Sequence, residues 1–238
     1  MTQSEELDRL LARKNELQER AAADAELSRQ LHELRLWQAR RLEQTYTELR
    51  REPRFVPALD FFLTDLYGPN EFTRRDADLK RALAQLKRAL PARLLELLCM
   101  ALELQVLTLE LDEQIASNLQ GRIIDASSYA AAYRVVGRPS DRQRQIDLIV
   151  RIGEDLGELV QQRWMGLALS AAHIPAHVAG FGVLQGFLER GFQAFRSLGN
   201  ARDLLAIIRQ RETELMNSLL RGDAAALVNP MQGVAANE

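Results

Sequence analysis

The 238-residue sequence has a single cysteine, Cys99, and aromatic residues make up only 6% of it. One cysteine cannot form an intramolecular disulfide or supply a four-cysteine zinc site, so nothing indicates an oxidising compartment. Basic and acidic residues are nearly equal in number, 31 against 33, which gives a net charge of −2. Because this balance leaves no excess of positive charge for a nucleic-acid groove, we expect no nucleic-acid partner.

Long uncharged apolar runs are also missing. No stretch reaches the roughly 18 apolar residues that a membrane-spanning helix requires. The first residues lack the basic region and the apolar region of a secretory signal peptide. We therefore expect a cytoplasmic protein without a membrane partner, and the hydrophobic content of 47% is that of an ordinary globular chain.

Alternating patterns typical of strands are scarce, whereas leucine and alanine recur at spacings of three and four residues. This periodicity predicts an all-α, multi-helix bundle of about eight to ten helices. The most apolar segment begins at Pro91 and continues to about residue 119. We expect it to be the central helix of the core.

The chain divides by pattern into three regions. We predict an N-terminal helical arm over 1–52, a helical core domain over 53–222 and a flexible tail over 223–238. The arm is either one long bent helix or two helices, the second capped by Asp24. Its balanced charges suit packing on a partner, and we expect a homodimer. The sequence leaves open whether the arm packs on its own core or on a second subunit.

Prolines and glycines interrupt the later helices. Pro175 predicts a break between a helix over 163–172 and another over 176–198. Glycines inside the second of these helices cost about 1 kcal/mol each relative to alanine, so a close contact must offset them. Gly153 and Gly157 have matching spacing, which predicts glycine-on-glycine packing. A homodimer seam and a slot for a flat apolar ligand are the alternatives.

Aromatic residues are concentrated at 61–76, where the sequence reads FFLTDLYGPNEFTRRD. A glycine and a proline end one helix there, and a capping pattern starts the next. This FFLxDLYGPxxFxxRD motif, the stretch over 103–112 and the glycine-phenylalanine region over 180–195 resemble those of a family of uncharacterised bacterial all-helical proteins. The resemblance extends along most of the chain, and it implies no known activity.

The polar residues of this motif have two interpretations. In the first they stiffen a corner, with Asp76 capping a helix and Asp65 or Tyr67 paired with Arg75. In the second, Asp65, Tyr67, Arg75 and Asp76 line a ligand pocket, where a buried aspartate and tyrosine act as acid and base. We favour the first interpretation and keep these four residues as candidate ligand contacts.

Three more candidates lie outside the motif. His173 and His177 have the four-residue spacing of two metal-binding imidazoles on one helix face. Pro175 lies between them and predicts that the first histidine is outside the helix, so we favour polar residues at a helix start over haem or metal ligation. Glu103 belongs to a seven-residue repeat of glutamates with three interpretations: it pairs with the basic helix over 74–93, it is a solvated stripe, or it forms an internal site for a metal or a cationic ligand. We assign no catalytic residue and no metal site.

Two functions remain. The first is a cytoplasmic helical interaction or scaffold protein that is not an enzyme. The alternative is a sensor or enzyme that binds a small apolar ligand or a cofactor, including haem or a metal, between the central helix and the glycine-phenylalanine helix. The second function requires a cavity of roughly 300 Å³ or more with converging polar groups, whereas the first requires an exposed apolar patch.

Overall fold

The described part of the chain folds into ten α-helices. In a computed structural model, residues 2–66, 81, 87 and 90–228 are described. The helices are α1 (Gln3–Ala23), α2 (Ala25–Tyr46), α3 (Val56–Asp60), α4 (Ala92–Leu119), α5 (Ala126–Val136), α6 (Pro139–Leu159), α7 (Arg163–Val178), α8 (Gly182–Leu198), α9 (Arg202–Leu220) and α10 (Ala225–Val228). A 3₁₀ turn, Thr47–Arg51, follows α2, and a π-helical turn, Phe61–Leu66, continues α3. No strand occurs within these ranges, which confirms the predicted all-α bundle.

Aspartate caps set the starts of two helices. The side chain of Asp24 accepts hydrogen bonds from the backbone N–H groups of Glu26 and Leu27, both at 3.0 Å, and thereby starts α2. The N-terminal arm is therefore two helices. Asp125 starts α5 in the same way, with its side chain accepting from the backbone N–H of Ser128 at 2.8 Å.

The centre of the bundle is α4. It packs against α1, α2, α5 and α6, and Leu102, Leu111 and Ile115 on it are fully buried. Leucines of α1 cover one side of α4 and form an apolar cluster with it. The N-terminal arm thus packs on the core of its own chain, one of the two arrangements that the sequence left open.

Pro175 does not end a helix, and that prediction is wrong. Although Pro175 has no N–H to donate, α7 continues through it to Val178. The next turn restores the hydrogen bonding, because the backbone N–H of Ala179 donates to the carbonyl of Pro175 at 2.9 Å. The chain reverses at Gly180, which has φ +78°, so α7 and α8 form a helical hairpin.

The predicted glycine-on-glycine packing is also wrong. Gly153 of α6 faces Leu205 of α9, and a Cβ at this glycine would lie 2.5 Å from Leu205 Cδ2. Gly191 of α8 faces the ring of Phe61 instead. Each of these glycines therefore makes room for a bulky side chain, and that side chain belongs to neither α6 nor α8.

The end of the described chain packs on the bundle. Within the segment predicted as a tail, α10 contacts α9 and α5, and Leu227 is buried. Residues 229–238 lie outside the described residues. A flexible tail over 223–238 stays a prediction.

Candidate functional site

The structure describes three of the seven predicted ligand contacts with their side chains. Asp65 belongs to the π-helical turn Phe61–Leu66. Its side chain, together with Tyr67, Arg75 and Asp76, lies outside the described residues. The motif over 61–76 therefore stays a prediction as a ligand site.

Glu103 and the two histidines belong to different sites. The carboxylate of Glu103 on α4 accepts two hydrogen bonds from Arg144 of α6, both 2.7 Å long. Glu110, seven residues later, accepts from Arg13 of α1 at 2.7 Å. Glu103 and Glu110 thus pair α4 with α6 and α1, and neither is paired with His173 or His177.

His173 and His177, the histidine pair, lie together on α7. Their ring centroids are 4.5 Å apart. The Nδ1 atom of His173 is 2.8 Å from Oε1 of Glu189 on α8, and Nδ1 of His177 is 2.8 Å from the carbonyl oxygen of His173. Because the predicted break at Pro175 does not occur, the two imidazoles share one helix.

Glu189 is held in place by a buried amide. Gln185 is only 5% exposed, and its Nε2 donates to Glu189 Oε1 at 2.7 Å and to the carbonyl oxygen of Leu169 at 2.8 Å. Hydrogen bonds from Gln185 and then from His173 lower the pKa of Glu189 below its ordinary value. At neutral pH this side chain is therefore a carboxylate that orients the His173 ring.

A groove begins beside the histidine pair. It lies between α3, α7 and α8, has a volume of about 750 Å³, and has Phe61, Leu169 and Phe192 among its apolar lining residues. The sequence predicts a pocket between α4 and α8 instead. This groove contains no residue of α4, because α4 packs mainly against α1, α2, α5 and α6 among the described elements.

Polar groups converge on the groove but already have partners. Asp60 accepts a hydrogen bond from Arg50 at 2.7 Å, and Glu189 is bound as described above. The guanidinium of Arg196 lies 5.7 Å from the ring centroid of Phe192. The groove has the size expected of a ligand site. Each of these polar groups, however, already has a hydrogen-bond or cation–π partner within the protein, so none of them points to a particular ligand.

An exposed apolar stripe follows the outer face of α7. It consists of Trp164, Leu167, Ala171, Ile174 and Val178, and we call it the α7 seam. Leu167 and Ile174 are each 72% exposed, Val178 is 84% exposed, and no residue of α7 is fully buried. The seam residues are three, four, three and four positions apart, which is the heptad spacing of a helix that packs against another helix.

The sequence did not indicate a buried polar cluster between α2, α4 and α9. Oε1 of Glu212 accepts hydrogen bonds from Arg41 and from the hydroxyl of Tyr46, both at 2.8 Å. Asp112 accepts from Gln38 at 3.0 Å, and burial raises the pKa of Asp112. In the sequence, such residues have the spacing of ordinary polar positions on amphipathic helices. Only the packing of α2, α4 and α9 shows that they lie in the interior of the bundle.

A family model described as "Domain of unknown function (DUF8198)" matches residues 17–226. The chain belongs to this family. The predicted membership of an uncharacterised family is confirmed, and the DUF8198 match runs from α1 into α10, across both the arm and the core. No curated protein and no solved structure matches the chain. Among the described helices, none has the length and the apolar character needed to cross a bilayer.

Proposed function

We propose that the protein is a non-catalytic helical interaction protein that forms a homodimer through the α7 seam. The observation that carries this proposal is the exposure of the seam: large apolar side chains at heptad spacing face solvent along a helix that packs mainly on α8. A contiguous apolar patch of this kind is typical of a protein-protein contact.

The charge of α7 favours a second copy as the occupant. The helix contains no acidic residue, and its only arginine, Arg163, is its first residue. A partner selected by charge would need opposite charges beside the seam, whereas an uncharged apolar seam complements itself in a two-fold contact. Two α7–α8 hairpins that meet in this way form a four-helix bundle.

The apolar area sets the strength of the expected dimer. Burial of Leu167, Ile174 and Val178 contributes roughly 1–2 kcal/mol for each side chain, and each counts twice in a symmetric contact. The total of roughly 6–12 kcal/mol is similar to the cost of association, which is about 4–15 kcal/mol. Because the gain and the cost are of similar size, we expect a weak dimer that forms only at high protein concentration and dissociates on dilution.

Sedimentation velocity of the full chain over a range of concentrations tests the dimer. We expect the wild type to shift from monomer to dimer as the concentration rises, and L167E to remain monomeric because a buried unpaired carboxylate opposes the contact. The matched control is I123E, since Ile123 is 88% exposed and lies outside the seam. A wild type that stays monomeric at its highest concentration would overturn the proposal, as would equal dissociation by I123E.

The groove supports a second candidate function, the binding of a small apolar ligand. The observation in its favour is the volume of about 750 Å³ beside Phe61, Leu169 and Phe192. Native mass spectrometry of protein purified from its own host tests this candidate. A bound small molecule that is absent from the L169W variant, in which the groove is filled, supports ligand binding, and a mass equal to that of the chain alone argues against it.

A further inference from the structure

We propose that His173 and His177 bind one divalent transition-metal ion through their Nε2 atoms. The two residues are four positions apart on one continuous helix, and their rings are 4.5 Å apart between centroids. This is the arrangement in which two imidazoles on a helix share a metal ion. The site is distinct from the α7 seam and does not depend on the dimer.

The hydrogen bonds of both rings prepare the Nε2 atoms for a metal. A carbonyl oxygen can only accept, so Nδ1 of His177 carries the hydrogen that is donated to His173 O. Glu189 is a carboxylate and accepts from Nδ1 of His173 in the same way. In the neutral form of each imidazole, Nε2 therefore carries the lone pair.

Metal-ligating histidines in proteins have this second hydrogen bond, to a carboxylate or to a backbone carbonyl. It fixes the ring and makes the ligating nitrogen a better donor. Here both kinds of acceptor are present, one on each ring. The side chain of His173 is 52% exposed, which leaves an entry path for an ion.

Space for the second ring depends on a glycine. A Cβ at Gly182 would lie 2.9 Å from Cδ2 of His177 and 3.2 Å from its Nε2. A larger residue at the start of α8 would therefore push the His177 ring out of its position. The glycine thus has a role in the geometry of the histidine pair.

The type of ligand indicates which metal ions the histidine pair can bind, and the number of ligands indicates how tightly it binds them. In the described ranges no group of three or more His, Cys, Asp or Glu side chains could hold a metal ion, so water completes the coordination sphere. Imidazole suits copper, nickel and zinc, and affinity for divalent ions rises from nickel to copper. We expect micromolar binding of Ni²⁺ and tighter binding of Cu²⁺.

Isothermal titration calorimetry of the full chain with Ni²⁺ tests the site. We expect one ion per chain, and at least a tenfold loss of affinity in H173A and in H177A. The matched control is H32A, because His32 is the third histidine of the chain and is exposed on α2. Circular dichroism of each variant checks that the fold is intact.

Glu189 acts as a positioning residue, and E189Q tests this role. We expect its affinity for Ni²⁺ to fall by about tenfold or more with the helical content unchanged.

The outcomes separate this site from the proposed dimer. L167E should retain wild-type affinity for Ni²⁺, because the histidine pair lies roughly 100–140° around the helix from the centre of the seam. No Ni²⁺ binding by the wild type, or full binding by the H173A/H177A double variant, would overturn the metal site whatever the oligomeric state.

Discussion

Asp112 is a carboxylate in the interior of the bundle. Desolvation raises its pKa, and this effect outweighs the lowering by Gln38, Arg35 and Arg142. Its native pKa is therefore above the unfolded value, which is close to its ordinary 3.8. The folded chain retains a proton that the unfolded chain releases, so this contribution to stability is complete at low pH and is lost as the pH rises above that value.

The variant D112N tests this pH dependence. An asparagine still accepts the hydrogen bond from Gln38 and cannot ionise. We expect the unfolding free energy of D112N to exceed that of the wild type by a margin that grows as the pH rises from about 3.8 towards neutrality, measured by urea unfolding at several pH values. D203N is the control, because Asp203 is 55% exposed and surface pairs contribute little. A margin that is the same at every pH would contradict the interpretation.

Gly153 is required by its neighbour. In G153A the new Cβ would lie 2.5 Å from the side chain of Leu205, which is buried. We expect a net loss of about 1 kcal/mol in unfolding free energy, since an overpacking cost of about 1–3 kcal/mol exceeds the gain in helix propensity. G186A in α8 is the control, because its Cβ would meet only the guanidinium of Arg190 at 3.3 Å. That variant should be neutral or slightly stabilised, and equal effects at both sites would be inconsistent with this account.

Among the elements, α5 depends on its aspartate cap. D125A removes the acceptor for the backbone N–H of Ser128. We expect a loss of about 1 kcal/mol in thermal or denaturant unfolding. S127A is matched in position, because Ser127 is exposed in the first turn and makes no cap, and it should change stability by less than about 0.5 kcal/mol. A D125A variant as stable as S127A would show that tertiary contacts alone hold this helix end.

Structural features that depend only on residues within one helical turn could be predicted from the sequence. Asp24 could be recognised as a cap because a cap needs only the residues that follow it. The break at Pro175 was predicted wrongly because the hydrogen bond that a proline removes does not always end a helix. The outcome depends on whether the neighbouring turns keep their own hydrogen bonds, as they do in α7. The number and class of elements were thus predictable, and the continuity of α7 was not.

The candidate site depended on contacts between distant segments. The spacing of His173 and His177 is visible in the sequence, but their partner Glu189 belongs to α8 and comes near only through the hairpin at Gly180. Nothing in the sequence around Gly153 indicated that its neighbour is Leu205 rather than another glycine. Periodicity identifies the face of a helix that is buried, and not the helix that covers it.

At the scale of the molecule, α7 contributes no buried residue to the three apolar clusters of the bundle. Within the described ranges, Met165 and Leu169 are the only residues of α7 that pack against one of these clusters. Changes on the seam should therefore leave the fold intact.

Dimerisation through the seam should raise the thermal midpoint of the wild type as the protein concentration increases. The thermal midpoint of L167E should stay constant over the same concentrations.

The packing of α1 on α4 has a consequence during synthesis. The leucines of α1 that cover α4 lie between Leu7 and Leu17, whereas the helix that they cover begins at Ala92. At roughly 5–20 residues per second, a ribosome needs several seconds to make the intervening chain. During that time the apolar side of α1 is without its native neighbour and is available to chaperones.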